Sequence, residues 1–346
     1  MSRPAMNDQS PTDIVLLAHG SGGQMSHRLV TEYFLPAFAN PALNLLEDSA
    51  PVDADGARLA LTTDSYVVDP LFFPGGDIGR LAVCGTVNDL AVSGARPLAL
   101  TAGFILEEGL PLADLRRILE SMRAAALEAG VPVVAGDTKV VPRGKGDKVF
   151  INTAGVGLLP PGREVGARRA RPGDAVLING PVGDHGIAVM LAREGFQVSE
   201  EVRSDCAPLF TLIDPLFQAG LPVHAMRDPT RGGLATVLNE IASAASVRIE
   251  VDEESVPVRP AVFGAAEIFG FDPLYLANEG KVVFCLPEEC AGPALALLRS
   301  HPLGTAAAMI GRVLDCPDRP TVTLRTAIGG GRVLDMLVGE QLPRIC

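Results

Sequence analysis

The sequence predicts two consecutive domains of mixed α/β (α+β) construction, followed by a tail that ends in a reactive side chain. A chain of 346 residues exceeds one comfortable core. Strand-like and helix-like patterns alternate in both halves, which is how layered α/β domains read. A breaker-rich stretch, Pro160-Pro161-Gly162 followed by Arg171-Pro172-Gly173-Asp174, separates the halves. The expected division is an unstructured N-terminus (1–13), an N-terminal domain (14–160), a C-terminal domain (161–328) and a flexible tail (329–346).

In the first half, Ile14 to Ala18 reads as a strand. His19-Gly20-Ser21-Gly22-Gly23 reads as a loop, and a helix follows to about Phe38. Ala57 to Thr63 is a strand with β-branched content. Asp77 is placed to cap a helix to about Ser93, with Ile78, Leu81, Val87 and Leu90 at helical spacing. Leu98 to Leu106 is a strand, and Leu112 to Ala129 a helix ended by Gly130. Val131 to Val141 and Val149 to Leu158 are strands, joined by the hairpin-like 142–147. The second half restarts with a strand at Ala175 to Ile178. Helices are expected near 184–194, 205–219, 231–245 and 288–300. Strands are expected near 222–226, 247–251, 281–286, 307–313 and 321–325. Imperfect alternation leaves the sheet order open.

The net charge of −12 argues against nucleic acid or an anionic membrane surface as partner. A polyphosphate can still bind, provided cations bridge it. No run of eighteen uncharged apolar residues is present, so no membrane span is expected. The polar segment Met1 to Thr12 lacks the apolar stretch of a signal peptide, which points to the cytoplasm. The six cysteines (84, 206, 285, 290, 316 and 346) contain no CxxC pair, and Cys285 and Cys290 are poorly spaced for zinc. Cys84 and Cys285 read as small buried hydrophobes, and no disulfide is expected in a reducing compartment.

Five aspartates sit where ligands can reach them: Asp48, Asp64, Asp89, Asp137 and Asp228. Hard oxygen ligands of this kind suit Mg²⁺ with phosphates. Singly, each also fits a cap or a turn. Asp89 differs because it falls inside an apolar helix, where an unpaired carboxylate is expensive. Three glycine runs precede helices: Gly20 to Gly23, Gly75-Gly76-Asp77-Ile78-Gly79, and Arg231-Gly232-Gly233. Amides at helix N-termini attract phosphate, but none of these runs is a P-loop and each also fits a plain turn. Lys139, beside Asp137 and Thr138, can steady a phosphate or move a proton, and it also fits a surface lysine. Glu279 places a carboxylate at a turn before a strand. His19 beside the first glycine loop fits a structural role slightly better than a ligand role.

The final residue is Cys346. A thiolate is a strong nucleophile, and the 15 residues after Gly331 reach roughly 50 Å when extended, with Gly329-Gly330-Gly331 as a hinge. That geometry suits a carrier arm; the alternative is a frayed end.

His19-Gly20-Ser21-Gly22-Gly23, Thr63-Asp64-Ser65-Tyr66-Val67-Val68, Phe73-Pro74-Gly75-Gly76-Asp77-Ile78-Gly79, Gly85-Thr86-Val87-Asn88-Asp89-Leu90, Gly136-Asp137-Thr138-Lys139-Val140-Val141 and Asp228-Pro229-Thr230-Arg231-Gly232-Gly233 together resemble the HypE family of hydrogenase maturation factors. Pro343-Arg344-Ile345-Cys346 is similar to that family's modifiable tail. The likeness runs from about residue 14 to the end; any single motif also fits other members of the aminoimidazole-ribonucleotide-synthetase-like superfamily.

The resemblance implies the two-domain fold of that superfamily, with ATP binding and homodimerisation through the N-terminal domain. It implies a carbamoyl dehydratase. A HypF carbamoyltransferase loads a carbamoyl group on Cys346, and ATP-dependent dehydration turns it into a thiocyanate. Cyanide then passes to iron on a HypC-HypD scaffold complex, for the [NiFe] hydrogenase centre. Glu279 and Lys139 are the candidates for proton removal. Asp48, Asp64, Asp89 and Asp228 are the candidate Mg²⁺ ligands; Asp64, Asp89, Asp137, Thr138, Asp228, Gly75 and Gly76 are the candidate ATP contacts. The alternatives are a selenophosphate synthetase or thiamine-phosphate kinase of the same fold, or a non-catalytic carrier presenting Cys346. No cysteine lies before Cys84 to serve the first, and neither enzyme explains the terminal thiol. Nucleotide turnover would separate the carrier from an enzyme.

Overall fold

A computed structural model describes residues 15–20, 22–38, 40–196, 201–337, 342 and 344–346. Ile14 and the expected unstructured segment 1–13 lie outside the described residues. The expected strand at 14–18 does not form: Leu17–Gly20 is a 3₁₀ turn, held as His19 Nδ1 accepts from the Leu16 amide at 2.9 Å. His19 is thus engaged in its own turn. A helical run follows, α1 (Gln24–Leu29) and α2 (Leu35–Phe38), joined by the π-helical turn Val30–Phe34.

The first layer contains β1 (Ala50–Ala54), β2 (Ala57–Tyr66), a short ribbon β3 (Phe72–Phe73) and β4 (Gly76–Asp77), α3 (Ile78–Val92), β5 (Arg96–Glu107), α4 (Leu112–Ala129), β6 (Val133–Val141) and β7 (Val149–Leu159). The main sheet runs β1-β2-β7-β5-β6. The crossover helix α4 lays β6 parallel to β5, so β7 takes the other side of β5. The segment 142–147 therefore passes over an intervening strand and does not close a hairpin.

Asp77 caps α3 as its position predicts, accepting from the amides of Gly79 and Arg80 at 2.7 and 3.0 Å. Ile78, Leu81, Val87 and Leu90 are fully buried. The helix packs on the N-terminal sheet and on α6 (Phe210–Gln218) of the second layer. Its polar residues Asn88 and Asp89 are consequently set at the junction of the layers. The apolar run that looks like an ordinary core helix is apolar all round because it has no solvent face.

The second layer contains β8 (Asp174–Ile178), α5 (Asp184–Glu194), α6 (Phe210–Gln218), β9 (Ala225–Arg227), α7 (Gly233–Ala245), β10 (Arg248–Asp252), α8 (Pro260–Phe269), β11 (Val283–Pro287), α9 (Ala291–Ser300), β12 (Ala308–Leu314), β13 (Thr321–Arg325) and β14 (Gly331–Val333). Its sheet runs β14-β13-β10-β12-β8-β11-β9. The sequence pattern does not announce β1, the β3–β4 ribbon, β14 or α8. In α8 the proline-rich approach reads as loop, yet Pro260 stands at the first helical position, where a missing amide costs nothing. Cys84 and Cys285 are buried, as expected.

The glycine triplet is not a hinge in this arrangement. It turns a hairpin between β13 and β14, with Gly331 already paired to Arg325. Leu334 is buried, its amide bonds to Val322 O at 2.9 Å, and Leu337 O accepts from Gln24 N at 3.0 Å. The chain is anchored as far as Leu337. The nine residues beyond span about 30 Å at most, against the roughly 50 Å expected from Gly331.

Candidate active site at the seat of the C-terminal cysteine

Arg344 to Cys346 lie antiparallel to Val67–Asp69. The Val67 amide donates to Cys346 O at 3.1 Å and the Asp69 amide to Arg344 O at 3.2 Å. Arg344 Nε returns a bond to Val67 O at 3.2 Å, and Arg193 donates to Arg344 O at 2.8 Å. His185 Nε2 lies 2.8 Å from Ile345 O and its Nδ1 2.8 Å from Ser204 Oγ. Burial keeps this imidazole neutral by lowering its pKa, so the proton on Nε2 serves the tail and Nδ1 accepts from Ser204. The Ile345 side chain is 3% exposed. Arg344 also pairs with Asp147. Burying Ile345 contributes about 2 kcal/mol and the five hydrogen bonds about 1 kcal/mol each. Ordering three residues costs about 6 kcal/mol. The terms nearly cancel, so the seat holds the tail reversibly.

Seated, the Cys346 thiol is within hydrogen-bond reach of Glu279 and in the electrostatic field of Arg231 and Asp64. Burial pushes its pKa up, Arg231 opposes this, and the carboxyl groups of Glu279 and Asp64 add to it. Glu279 is 3% exposed, and its Oε1 has no hydrogen-bond partner among the described residues. Burial, then Asp228, Asp205 and Asp64, raise the Glu279 pKa well above the carboxylate range. Asp205 holds the turn that carries it: its carboxylate accepts from the amides of Glu279 (3.0 Å) and Gly280 (3.3 Å) and from Lys281 Nζ (2.8 Å). Gly280 is required here, because a Cβ would fall 1.8 Å from the Asp205 carbonyl oxygen. Asn88 reaches across from α3 and donates to Glu279 O at 3.4 Å.

Beyond Glu279, the fold brings Asp48, Asp64, Asp89 and Asp228 into one electrostatic cluster, although they come from distant segments. Burial raises the Asp89 pKa well above its usual range, and Asp228, Asp64 and Asp48 add to the shift. Burial and the same neighbours push Asp228 up to about 8. Thr62 Oγ1 donates to Asp89 at 2.8 Å. Asp48 is the most committed member, 3.1 Å from Arg227. Among the described residues no three acidic, histidine or cysteine side chains are grouped so that they could hold a metal ion by themselves. Carboxylate oxygens are nevertheless the hard donors that suit a divalent cation sharing its shell with phosphate oxygens.

Other candidates lie elsewhere. The sheet register aligns Ser65, Asn152, Gly103 and Asp137 in one row, and Phe150, Ile105 and Lys139 in another. Both rows are on the open face, away from α3. There Lys139 Nζ pairs with Asp137 at 2.6 Å, both exposed. Within one chain, Asp137 and Lys139 do not join the Cys346 cluster; Thr138, between them, points to the opposite face. Gly75 and Gly76 form the tight turn of the β3–β4 ribbon. A Cβ on Gly75 would fall 2.6 Å from the Ser204 backbone, and Asp77 already occupies amides at the start of α3. Those glycines thus have a packing role beside the tail seat. Sequence reading passed over Arg231, His185, Asp205 and Asn88. Arg231 and Asn88 stand inside motifs named above, whereas His185 and Asp205 carry no local signal because their partners Ile345 and Glu279 lie 160 and 74 positions away.

Residues 46–159 match the N-terminal domain of AIR synthase related proteins, and residues 171–322 match the C-terminal domain. Carbamoyl dehydratase HypE of Rhizobium leguminosarum bv. viciae is 52% identical over 331 residues, covering 95% of this chain and 94% of the relative. The chain belongs to the HypE family of carbamoyl dehydratases. Two solved HypE structures superpose closely. One, a HypE-HypF complex, has a TM-score of 0.85 at 50% identity and covers 89% of this chain and 99% of that one. The other, HypE in complex with ATP, has a TM-score of 0.82 at 52% identity, covering 96% and 100%. The HypE fold accounts for both sheets described above, and no helix of the described residues is long and apolar enough to cross a membrane.

Proposed function

We propose that this chain uses ATP to dehydrate an S-carbamoyl group on Cys346, leaving a thiocyanate that supplies cyanide to the iron of [NiFe] hydrogenase. The observation that carries the reading is the seat: the terminal thiol docks against Glu279 and Arg231, next to the cluster of buried carboxylates. In the balanced reaction, the carboxamide gives up its oxygen and two nitrogen protons. The oxygen leaves in phosphate, and ADP is the second product. Asp64, Asp89 and Asp228, with Asp48 beside them, would hold Mg²⁺, which would neutralise charge on the polyphosphate. Glu279 accepts a nitrogen proton, and its raised pKa moves it toward the operating pH, where a general base works best. The seat half-buries Cys346, which limits the access of water to the carbamoyl carbon. The intact mass of the C-terminal peptide tests the reading: protein loaded by a carbamoyltransferase loses one water only when ATP is supplied. A loaded chain that keeps its carbamoyl mass through ATP turnover refutes it.

A HypF-type carbamoyltransferase as loader is supported by the complex of a close relative, and a HypC-HypD scaffold as acceptor by the family's role. Both require Cys346 to leave its seat, and a compartment shared with them, the cytoplasm. The open face of the first sheet exposes Val52, Leu61 and Ile105 by 40%, 43% and 44%, which fits a homodimer. Pairing of two such faces would place Asp137 and Lys139 along the groove between copies, where ATP contacts are expected, with Thr138 on the opposite face of the sheet. A solution mass near twice 36.1 kDa is expected, falling to one chain in Ile105→Glu. An unchanged mass in that variant would rule out this face.

Asp89→Asn is expected to weaken nucleotide binding about 10–100-fold when Mg²⁺ is present, the scale of lost support at metal sites. Without Mg²⁺ the variant should bind normally and melt higher than wild type, because a buried like charge is gone. Calorimetric titration with and without the metal checks both signs.

A further inference from the structure

We infer that Arg231 is a catalytic residue, whose guanidinium grips the phosphoryl group as it passes to and leaves the carbamoyl oxygen on Cys346. The inference rests on the carbamoyl reading of Cys346 given above. Arg231 and Ile345 line the same crevice at the seat. The guanidinium lies 4.0 Å from Asp64 Oδ1, and it interacts electrostatically with both Cys346 and Asp64.

The surrounding charges make a cation necessary at that point. The carboxyl oxygens of Glu279, Asp64 and Asp228 offer a phosphoryl group brought beside the thiol no positive partner. A metal held by the aspartates serves the nucleotide end. The sulfur end needs its own positive group, and the neighbouring cations are committed. Lys281 is bound to Asp205 at 2.8 Å. Arg227 is bound to Asp48 and Glu240 at 3.1 and 3.0 Å. Arg193 and Arg344 hold the tail backbone. Among the described residues Arg231 has only loose contacts, 4.0 Å to Asp64 and 3.3 Å to Gly20 O. Its donors remain available to a planar, multi-oxygen anion, the geometry a guanidinium matches best. Its stem is fixed by the glycine loop: Gly22 has φ +80, and a Cβ there would fall 2.6 Å from Arg231 Cβ. The loop that looks like a phosphate cradle thus acts on phosphate through the arginine it packs against.

The test uses full-length protein, loaded on Cys346 by the carbamoyltransferase, with Arg231→Met and Arg231→Lys beside wild type. Single-turnover conversion after ATP addition should slow about 10²–10³-fold in Arg231→Met, as when one preorganised donor to a transition state is removed. Arg231→Lys should recover part of the rate. A second reading needs no turnover: Mg²⁺-ADP alone should bind all three proteins equally, while the gain in affinity from added orthovanadate should be lost in Arg231→Met. Wild-type conversion in Arg231→Met would overturn the inference and leave the dehydratase reading intact. Equal loss of ADP binding with and without vanadate would also overturn it, by making Arg231 a nucleotide contact. Failure of wild type itself to lose water would bring down the dehydratase reading, and this inference with it. If Arg231→Met does not fold, Arg231→Lys and Arg231→Gln carry the same comparison.

Discussion

Cys346→Ala is expected to abolish thiocyanate formation completely while leaving Mg²⁺-ATP binding unchanged. The sulfur is the atom that carries the carbamoyl group, so no other residue can replace it. The nucleotide end of the site is built from Asp64, Asp89 and Asp228, none of which depends on the terminal side chain. The seat itself is held by the backbone of Arg344 to Cys346 and by the buried Ile345 side chain, so the alanine variant should still dock. Mass spectrometry of the C-terminal peptide should show no carbamoyl adduct, and calorimetry should show normal nucleotide affinity. Hydrogenase maturation by the variant would end the carrier reading. Removal of residues 343–346 should reproduce the chemical defect and also expose the pocket that Ile345 fills.

Glu279→Gln is expected to accept the carbamoyl group normally and to dehydrate it about 10²–10⁴-fold more slowly, the usual scale for loss of a general base. The substitution keeps the size of a side chain that is 3% exposed and leaves the Asp205 clasp on its backbone intact. A folding defect is therefore not the expected cause. Lys139→Ala should slow the same step only if a second copy completes the site, because Lys139 lies on the open face of the sheet. In Ile105→Glu protein, which should be a single chain, adding Lys139→Ala should change nothing further. A full effect of Lys139→Ala in a proven monomer would contradict that geometry, and a wild-type rate in Glu279→Gln would remove it from the chemistry.

The sequence discloses the local features and hides those made at a distance. Asp77 as a cap, Gly130 as a C-cap and the whole of α4 follow from rules that act within one turn. The position of β6 does not, because it depends on which edge of β5 the crossover leaves free. Asp89 was conspicuous as a charge in an apolar helix, and its neighbours in the cluster are indeed other acids. Arg231 was not conspicuous, since an arginine before two glycines is ordinary until Cys346 is seen against it. The triple glycine misled because flexibility of residue type was read as flexibility of place; a hairpin turn needs the same residues.

The tail seat makes the C-terminus an intramolecular ligand. A connection of nine residues after Leu337 confines Cys346 to a small volume around its pocket, equivalent to a local concentration on the order of millimolar. A detached peptide ending in Arg-Ile-Cys would need to reach that level before it competed. A partner enzyme therefore gains nothing by waiting for the arm to diffuse away. It must engage the chain end during brief departures from the pocket, and after release the near balance of docking energies returns the end to the chemistry. Loading, conversion and delivery can then be ordered by geometry alone, with the short leash acting as the clock.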